Sequence, residues 1–473
     1  METLPNILAD RYASTAMQRI WSPAGRILLE RRFWIVVLRA QQDLGLNFPA
    51  DAIAAYERAA AHVDLSAIRE REAVTRHDVK ARIEAFNALA GFDCIHQGMT
   101  SRDLTENVEQ LQIRDALNLI REKAVAALLQ LGTKAKTFRE LVLTARTHNV
   151  PAQSTTLGRR FAMWGEELHL ALEGLENFIE RYPLRGLKGA VGTQIDPLNL
   201  FGQDPPKVEA LEAAVTKHLG FSPLLHSPGQ VYPRSLDFQT VSQLYALGSA
   251  PSNFAKTWRL MSGQGLVSEG FAKGQTGSSA MPHKVNARSC ERLNGLHVIL
   301  RGHLTMVEGL AGDQWNEGDV SCSVVRRVAL PDAFFALDGL LETFLTILDQ
   351  LEVFEGAINA ENAQQLPFLL TSQVMMAAVK AGVGREQAHA VIKEHALAAT
   401  NTLRTGASEN PLFSNLASDD RLPLDQAALD TILASGQQAT GLSSQQIDTF
   451  LHAIEPLQQR FPNAAHYTPE PGL

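Results

Sequence analysis

LETFLTILDQL, Leu341 to Leu351, repeats its apolar side chains at steps of three and four: Leu341, Phe344, Leu345, Leu348 and Leu351. At 3.6 residues per turn they form one broad stripe, which predicts an amphipathic helix with a buried face. Ala124 to Glu140 and Phe161 to Ile179 carry the same period. Strand-like alternation is scarce. The short candidates are Leu141 to Ala145 and Leu187 to Val191, which read as pieces of a small hairpin at most. Long amphipathic helices joined by loops predict an all-α bundle. The stripes are wide and recurrent, so some faces are expected to bury against other subunits of a homo-oligomer.

Pro and Gly cluster in Arg181 to Gly202 and in Phe221 to Arg234, and Gly and Ser in Gly263 to Asn286. These segments are expected as loops inside the body, where functional sites are usually carried. A composition shift near residue 360 marks the start of a C-terminal helical domain, and Thr405 to Leu424 reads as a surface loop. The expected division is an N-terminal helical domain over 1–110, a central long-helix domain over 111–360 containing the loop 263–286, and a C-terminal helical domain over 361–473.

The chain of 473 residues has a formal net charge of -8. An acidic chain has no general attraction to nucleic acid or anionic membranes. Three cysteines, Cys94, Cys290 and Cys322, make neither a disulfide framework nor a CxxC zinc pair, and are read as reduced thiols of a cytoplasmic protein. The start, METLPNILADRYAS, lacks the apolar run of a signal peptide. No uncharged apolar run approaches the ~20 residues of a membrane span.

GSSAMPHKVN, Gly277 to Asn286, places a Gly-Ser turn just before a segment, Ala287 to Leu300, with a helical pattern. Backbone N–H groups presented there make an anion site. Lys284 adds a point charge and Asn286 a neutral donor, so a carboxylate-bearing substrate fits.

GSSxMPxKxN resembles, at every fixed position, the signature of the fumarase, aspartase and argininosuccinate lyase superfamily. Further stretches resemble the adenylosuccinate lyase family. They are RYAS (Arg11 to Ser14), RHDV (Arg76 to Val79), GMTSRD (Gly98 to Asp103), THNVPAQSTTLGRR (Thr147 to Arg160), GAVGT (Gly189 to Thr193) and GQVYPRSLD (Gly229 to Asp237). The resemblance runs from about residue 8 to about residue 335.

The resemblance implies a three-domain all-α fold whose long central helices form a twenty-helix core in a homotetramer, with each active site shared by three subunits. It implies β-elimination of fumarate from adenylosuccinate, giving AMP. It also implies the parallel release of fumarate from the succinylated aminoimidazole carboxamide ribotide of purine nucleotide biosynthesis. No metal or organic cofactor is implied, and the only other partner is the nucleotide substrate. Within the superfamily, another fumarate-releasing lyase and a non-catalytic structural relative are the competing readings.

Such an elimination needs a base, an acid for the leaving nitrogen, and donors for the charge that develops on a carboxylate. By resemblance, Ser278 is the base, which requires a dry, closed loop. Ser279 donates to a carboxylate, and Lys284 and Asn286 stabilise the intermediate. His148 is the general acid, and imidazole suits that task near neutral pH. His77 is a second active-site histidine that contacts the substrate phosphate or supports the acid, and Glu291 is a carboxylate placed to pair with His148. Thr100, Ser101 and Gln230 match contacts to the succinyl group, with Thr147 nearby. Arg11, Tyr12, Arg76, Ser323 and Arg327 match positions that hold the phosphate or neighbouring groups, Asp78 is a further substrate-binding residue, and Arg292 is a further candidate for a carboxylate.

The sequence departs from the family pattern in three places. His-x-Gln-Pro-Ala-Gln becomes His148-Asn149-Val150-Pro151-Ala152-Gln153. Trp-x-Glu-Arg becomes Trp315-Asn316-Glu317-Gly318, which removes an arginine associated with phosphate binding. Asn286 is followed by Ala287 where proline is common.

Overall fold

The computed structural model describes residues 4–270, 281, 283–436 and 438–470. Its frame is a bundle of long helices: Ser101–Thr137, Leu157–Glu180, Ser235–Gly263, Arg288–Glu308 and Ser321–Gln350. Each predicted stripe falls in one of them, except that Phe138 to Glu140 and Leu351 lie just beyond the helix ends. Leu341, Phe344, Leu345 and Leu348 are fully buried, as are Leu128, Leu131, Phe161, Leu168 and Leu172. The helices share one core in which Phe161, Trp164, Phe254 and Trp258 meet edge-on or stacked.

Cross-links fix the direction of each helix. Arg102 Nη2 donates to Ser323 Oγ (3.1 Å), and the Gln230 backbone N–H donates to the Glu317 carbonyl (2.7 Å). The helices 101–137, 235–263 and 321–350 therefore begin together, at what we call the near end. At the far end, Gly158 N–H donates to the Phe138 carbonyl (2.8 Å), and strand Val267–Ser268 pairs with Glu352–Val353. The helices 157–180 and 288–308 run back between the ends. The 101–137 helix has 37 residues and so spans about 55 Å.

Loop residues hold the near end. Asp103 is fully buried, and its Oδ1 accepts from Lys188 N, Gly189 N and Arg185 Nη1 at 2.8, 3.0 and 2.7 Å. Its Oδ2 accepts from Thr100 N at 2.9 Å. This corrects the strand expected at Leu187 to Val191. Glycines at positive φ (Gly186, Gly189, Gly192) bend that segment around Asp103 instead. The other strand candidate falls in a real hairpin, Val142–Thr147 with Val150–Thr156.

A second core, which includes Leu366, Leu370, Val374, Val391, Leu412 and Leu429, belongs to the C-terminal part. The expected surface loop Thr405 to Leu424 is corrected here. It contains helix Leu412–Ala417 and buries Leu412, Phe413, Leu416, Leu422 and Leu424. Residues 110 and 360 both lie inside helices, Ser101–Thr137 and Glu355–Leu369. Helix Ser443–Arg460 returns to the first core through Ile447, Phe450 and Ile454. Among the described residues no helix is long and apolar enough to cross a membrane, and no cluster of His, Cys, Asp or Glu could hold a metal ion.

Candidate active site

At the near end, Thr100 precedes the first turn of the 101–137 helix and Ser101 opens it. Gln230 lies just before the 235–263 helix, and Ser323 and Arg327 lie in the first turns of the 321–350 helix. Arg327 follows Ser323 by four residues, which places the two on one helix face. Arg327 is exposed, whereas its neighbour Arg326 is buried and spent on Asp237 Oδ2 (2.7 Å), Glu109 Oε2 (2.6 Å) and the Tyr232 hydroxyl.

His77 caps helix Asp78–Ala90, with its Nδ1 accepting from Lys80 N at 3.3 Å. Arg76, at φ 48°, ends the helix before it. Both are exposed. Asp78 pairs with Arg82, whose guanidinium also reaches the buried Glu30. Burial works to raise the Asp78 pKa, but Arg82 and the Val79 N–H outweigh it and hold the carboxyl below its usual range.

Sequence reasoning missed His96, which sits beside these groups. Trp34 Nε1 donates to its Nδ1 at 3.1 Å, so the ring proton is on Nε2. Burial lowers its pKa to about 4, opposed by Asp103 and reinforced by His77 and Lys80. Its signal was its place two residues before the quoted GMTSRD stretch.

His148 is at the far end. It and Asn149 form the two-residue tip of the hairpin, both at positive φ (53° and 62°), as a type I′ turn requires. Thr147, His148 and Asn149 are all exposed. The loop returns to the described chain at the same end. Lys284 is exposed and its N–H donates to the Met281 carbonyl (3.0 Å). Asn286 borders a cavity of about 250 Å³ with Ser262, Val267, Glu269, Glu352 and Phe354. Glu291 is exposed in the first turn of the 288–308 helix, 3.8 Å from Arg259 Nη2. Among the described residues its salt-bridge partner is thus Arg259 rather than His148. Ser278 and Ser279 lie outside the described residues.

Arg11 and Tyr12 lie along the bundle between the ends. Tyr12 packs on Gly339, where an added Cβ would fall 2.6 Å from the Tyr12 Cβ. The Arg292 guanidinium sits 5.7 Å from the Tyr12 ring centroid. Ser14 fixes this segment: its N–H donates to Asp338 Oδ2 (2.6 Å), and its Oγ accepts from the buried Lys123 (2.9 Å).

The expected site residues therefore fall into two separated groups, with Arg11, Tyr12 and Arg292 between them. Arg76, His77, Asp78, Thr100, Ser101, Gln230, Ser323 and Arg327 gather at the near end. Thr147, His148, Lys284, Asn286 and Glu291 belong to the far end, about 55 Å along the 101–137 helix. A cavity of about 700 Å³ at the far end, bordered by Lys136, Arg139, Glu140 and Glu355, contains none of the expected residues.

Comparisons with known proteins agree with this architecture. A family model described as Lyase matches residues 16–302, and one described as Adenylosuccinate lyase C-terminus matches residues 367–450. The adenylosuccinate lyase of Saccharomyces cerevisiae is 33% identical over 96% of this chain and 96% of its own length. That of Schistosoma mansoni is 32% identical over 95% of each chain. Among solved structures, a 3-carboxy-cis,cis-muconate lactonizing enzyme from Pseudomonas putida superposes with a TM-score of 0.82 at 22% identity, covering 97% of this chain and 100% of that one. A fumarate lyase from a Mesorhizobium species gives 0.80 at 21% identity, covering 95% and 100%. At such identities these two likenesses concern the fold alone.

Proposed function

The chain belongs to the adenylosuccinate lyase family, and from that premise we propose that it releases fumarate from adenylosuccinate, giving AMP, and from the succinylated aminoimidazole carboxamide ribotide of purine synthesis. It is a carbon–nitrogen lyase. The observation that carries the substrate reading is the match to adenylosuccinate lyases over nearly the whole of both chains, because the fold itself is shared with a muconate lactonizing enzyme.

The chemistry divides among this chain's residues as follows. Ser278 takes the proton from the carbon beside a succinyl carboxylate, and the electron pair moves onto that carboxylate. Lys284 and Asn286 stabilise the added charge. The electron pair then forms the double bond of fumarate as the C–N bond breaks, and His148 delivers a proton to the departing nitrogen. Thr100, Ser101, Thr147, Gln230, Ser279 and Arg292 hold the carboxylates. Arg11, Tyr12, Arg76, Ser323 and Arg327 surround the phosphate, with His77 beside them, and Asp78 is a further contact to the substrate. Glu291 of a neighbouring subunit orients His148.

We assign the working form to a homotetramer in the cytoplasm, with each site built from three subunits. The separation of the two groups of expected residues supports sharing between subunits, since subunits packed with their bundles antiparallel bring a near end to a far end, and the third contributor rests on the family resemblance. Exposed Val298, Ile299, Val324 and Val328 on the central helices supply apolar area for that packing. The C-terminal domain is the unit around the second core, with helix Ser443–Arg460 tying it back to the bundle. A fumarate assay with adenylosuccinate, run beside argininosuccinate and aspartate, tests the reading. Turnover of adenylosuccinate alone is expected, and its absence refutes the proposal.

A further inference from the structure

We propose that Arg102 supplies the guanidinium for the substrate phosphate that position 318 lacks. The proposal rests on the nucleotide reading above and deepens it.

Gly318 cannot carry that group. Its φ of 144° is disfavoured for a residue with a side chain, and an added Cβ would lie 3.2 Å from Val231 Cγ2 and 3.3 Å from Gln230 Cβ. The crowding comes from the close approach of two segments. Gln230 N–H donates to the Glu317 carbonyl, and a Cβ on Gly229 would fall 2.2 Å from that same oxygen. An arginine at 318 would have to push the Gln230 segment away from the site it serves.

Arg102 stands close by with the right chemistry. It follows Ser101 in the first turn of the 101–137 helix, and its Nη2 donates to Ser323 Oγ at 3.1 Å. Ser323 is itself an expected phosphate contact, and Arg327 lies one turn further along the same face. Nη1 donates to Glu106 Oε1 at 3.1 Å, which fixes the plane of the fork. Glu106 is fully buried and also accepts from Arg234 Nη2 (2.9 Å) and Tyr232 N (3.2 Å), so it orients Arg102 without being devoted to it. Two of five N–H donors are spent, and the rest of the fork remains for an oxyanion. The Arg102 side chain keeps 16% of its exposure, enough for a ligand to reach it.

The test compares adenylosuccinate with the same compound lacking its phosphate, in the parent protein and in Arg102→Ala and Arg102→Lys. Losing charge-assisted bonds to phosphate raises KM for adenylosuccinate by about tenfold to a hundredfold with kcat nearly kept. KM for the dephosphorylated compound should not move. Arg102→Lys, which keeps the charge without the fork, should fall between, and it carries the test should the alanine variant not fold. Inhibition by inorganic phosphate should weaken in step. Equal losses on both substrates would assign Arg102 a structural role and overturn the proposal, as would an unchanged KM. A parent protein inactive on adenylosuccinate would instead refute the nucleotide reading itself.

Discussion

Glu269 and Cys290 stand on opposite sides of the signature loop, and the Glu269 carboxylate accepts the Cys290 backbone N–H at 3.0 Å. Its other oxygen accepts Ser289 N–H at 2.9 Å. Helix Arg288–Glu308 has no side-chain cap of its own, so the buried Glu269 caps it from the other end of the loop. Glu269→Ala should cost about 1–2 kcal/mol of stability by loss of the cap. Denaturant unfolding with an unchanged midpoint would contradict this.

Lys123, fully buried, meets Glu342 Oε1 at 2.7 Å and Asp338 more closely still, beside Ser14. Tyr467 and the Glu470 N–H donate to Glu342 as well. Lys123→Met would leave two carboxylates without their cation. The expected loss is about 3–5 kcal/mol, read by urea unfolding, because an uncompensated buried charge is costly.

His96 should make the protein acid-sensitive. Its folded pKa of about 4 lies below the ordinary 6.5, so between those values the unfolded chain binds the extra proton. Stability from this group is complete above pH 6.5 and is lost as the pH falls toward 4, by about 2 kcal/mol between pH 7 and pH 5. Asn in its place keeps an acceptor for Trp34, tolerates the φ of 66° and has no proton to gain. Unfolding of His96→Asn should lose that much of its acid dependence, and an unaltered pH profile would contradict the assignment.

The bundle was legible because its period is local. Leu341 to Leu351 shows its buried face without reference to any other segment. The motifs named their residues for the same reason, as short contiguous strings. The Asp103 hub was not legible, since it joins Arg185, Lys188 and Gly189 to a residue more than 80 positions away, and no period records such a link. Leu187 to Val191 looked extended because its glycines do not declare their φ. Arg102 lay within a quoted motif, but its reach to Ser323 spans 221 positions. Nor does the spacing of motifs reveal that a 37-residue helix holds two of them apart.

His148→Ala should lower kcat by about 10²–10⁴-fold, the range for loss of a general acid. The side chain is exposed at a hairpin tip, so thermal stability should change little. A variant that loses stability in proportion to activity would speak against the catalytic role.

The division of the site between subunits is tested most directly by mixing two impaired variants, His77→Ala and His148→Ala. Each damages one end of the bundle and leaves the other intact. After dissociation and reassembly together, some sites in the mixed tetramers receive a sound near end from one variant and a sound far end from the other. Fumarate release well above that of either variant alone is the predicted result. Mixed tetramers that form and stay inactive, or an active isolated monomer of the parent protein, would contradict the shared site.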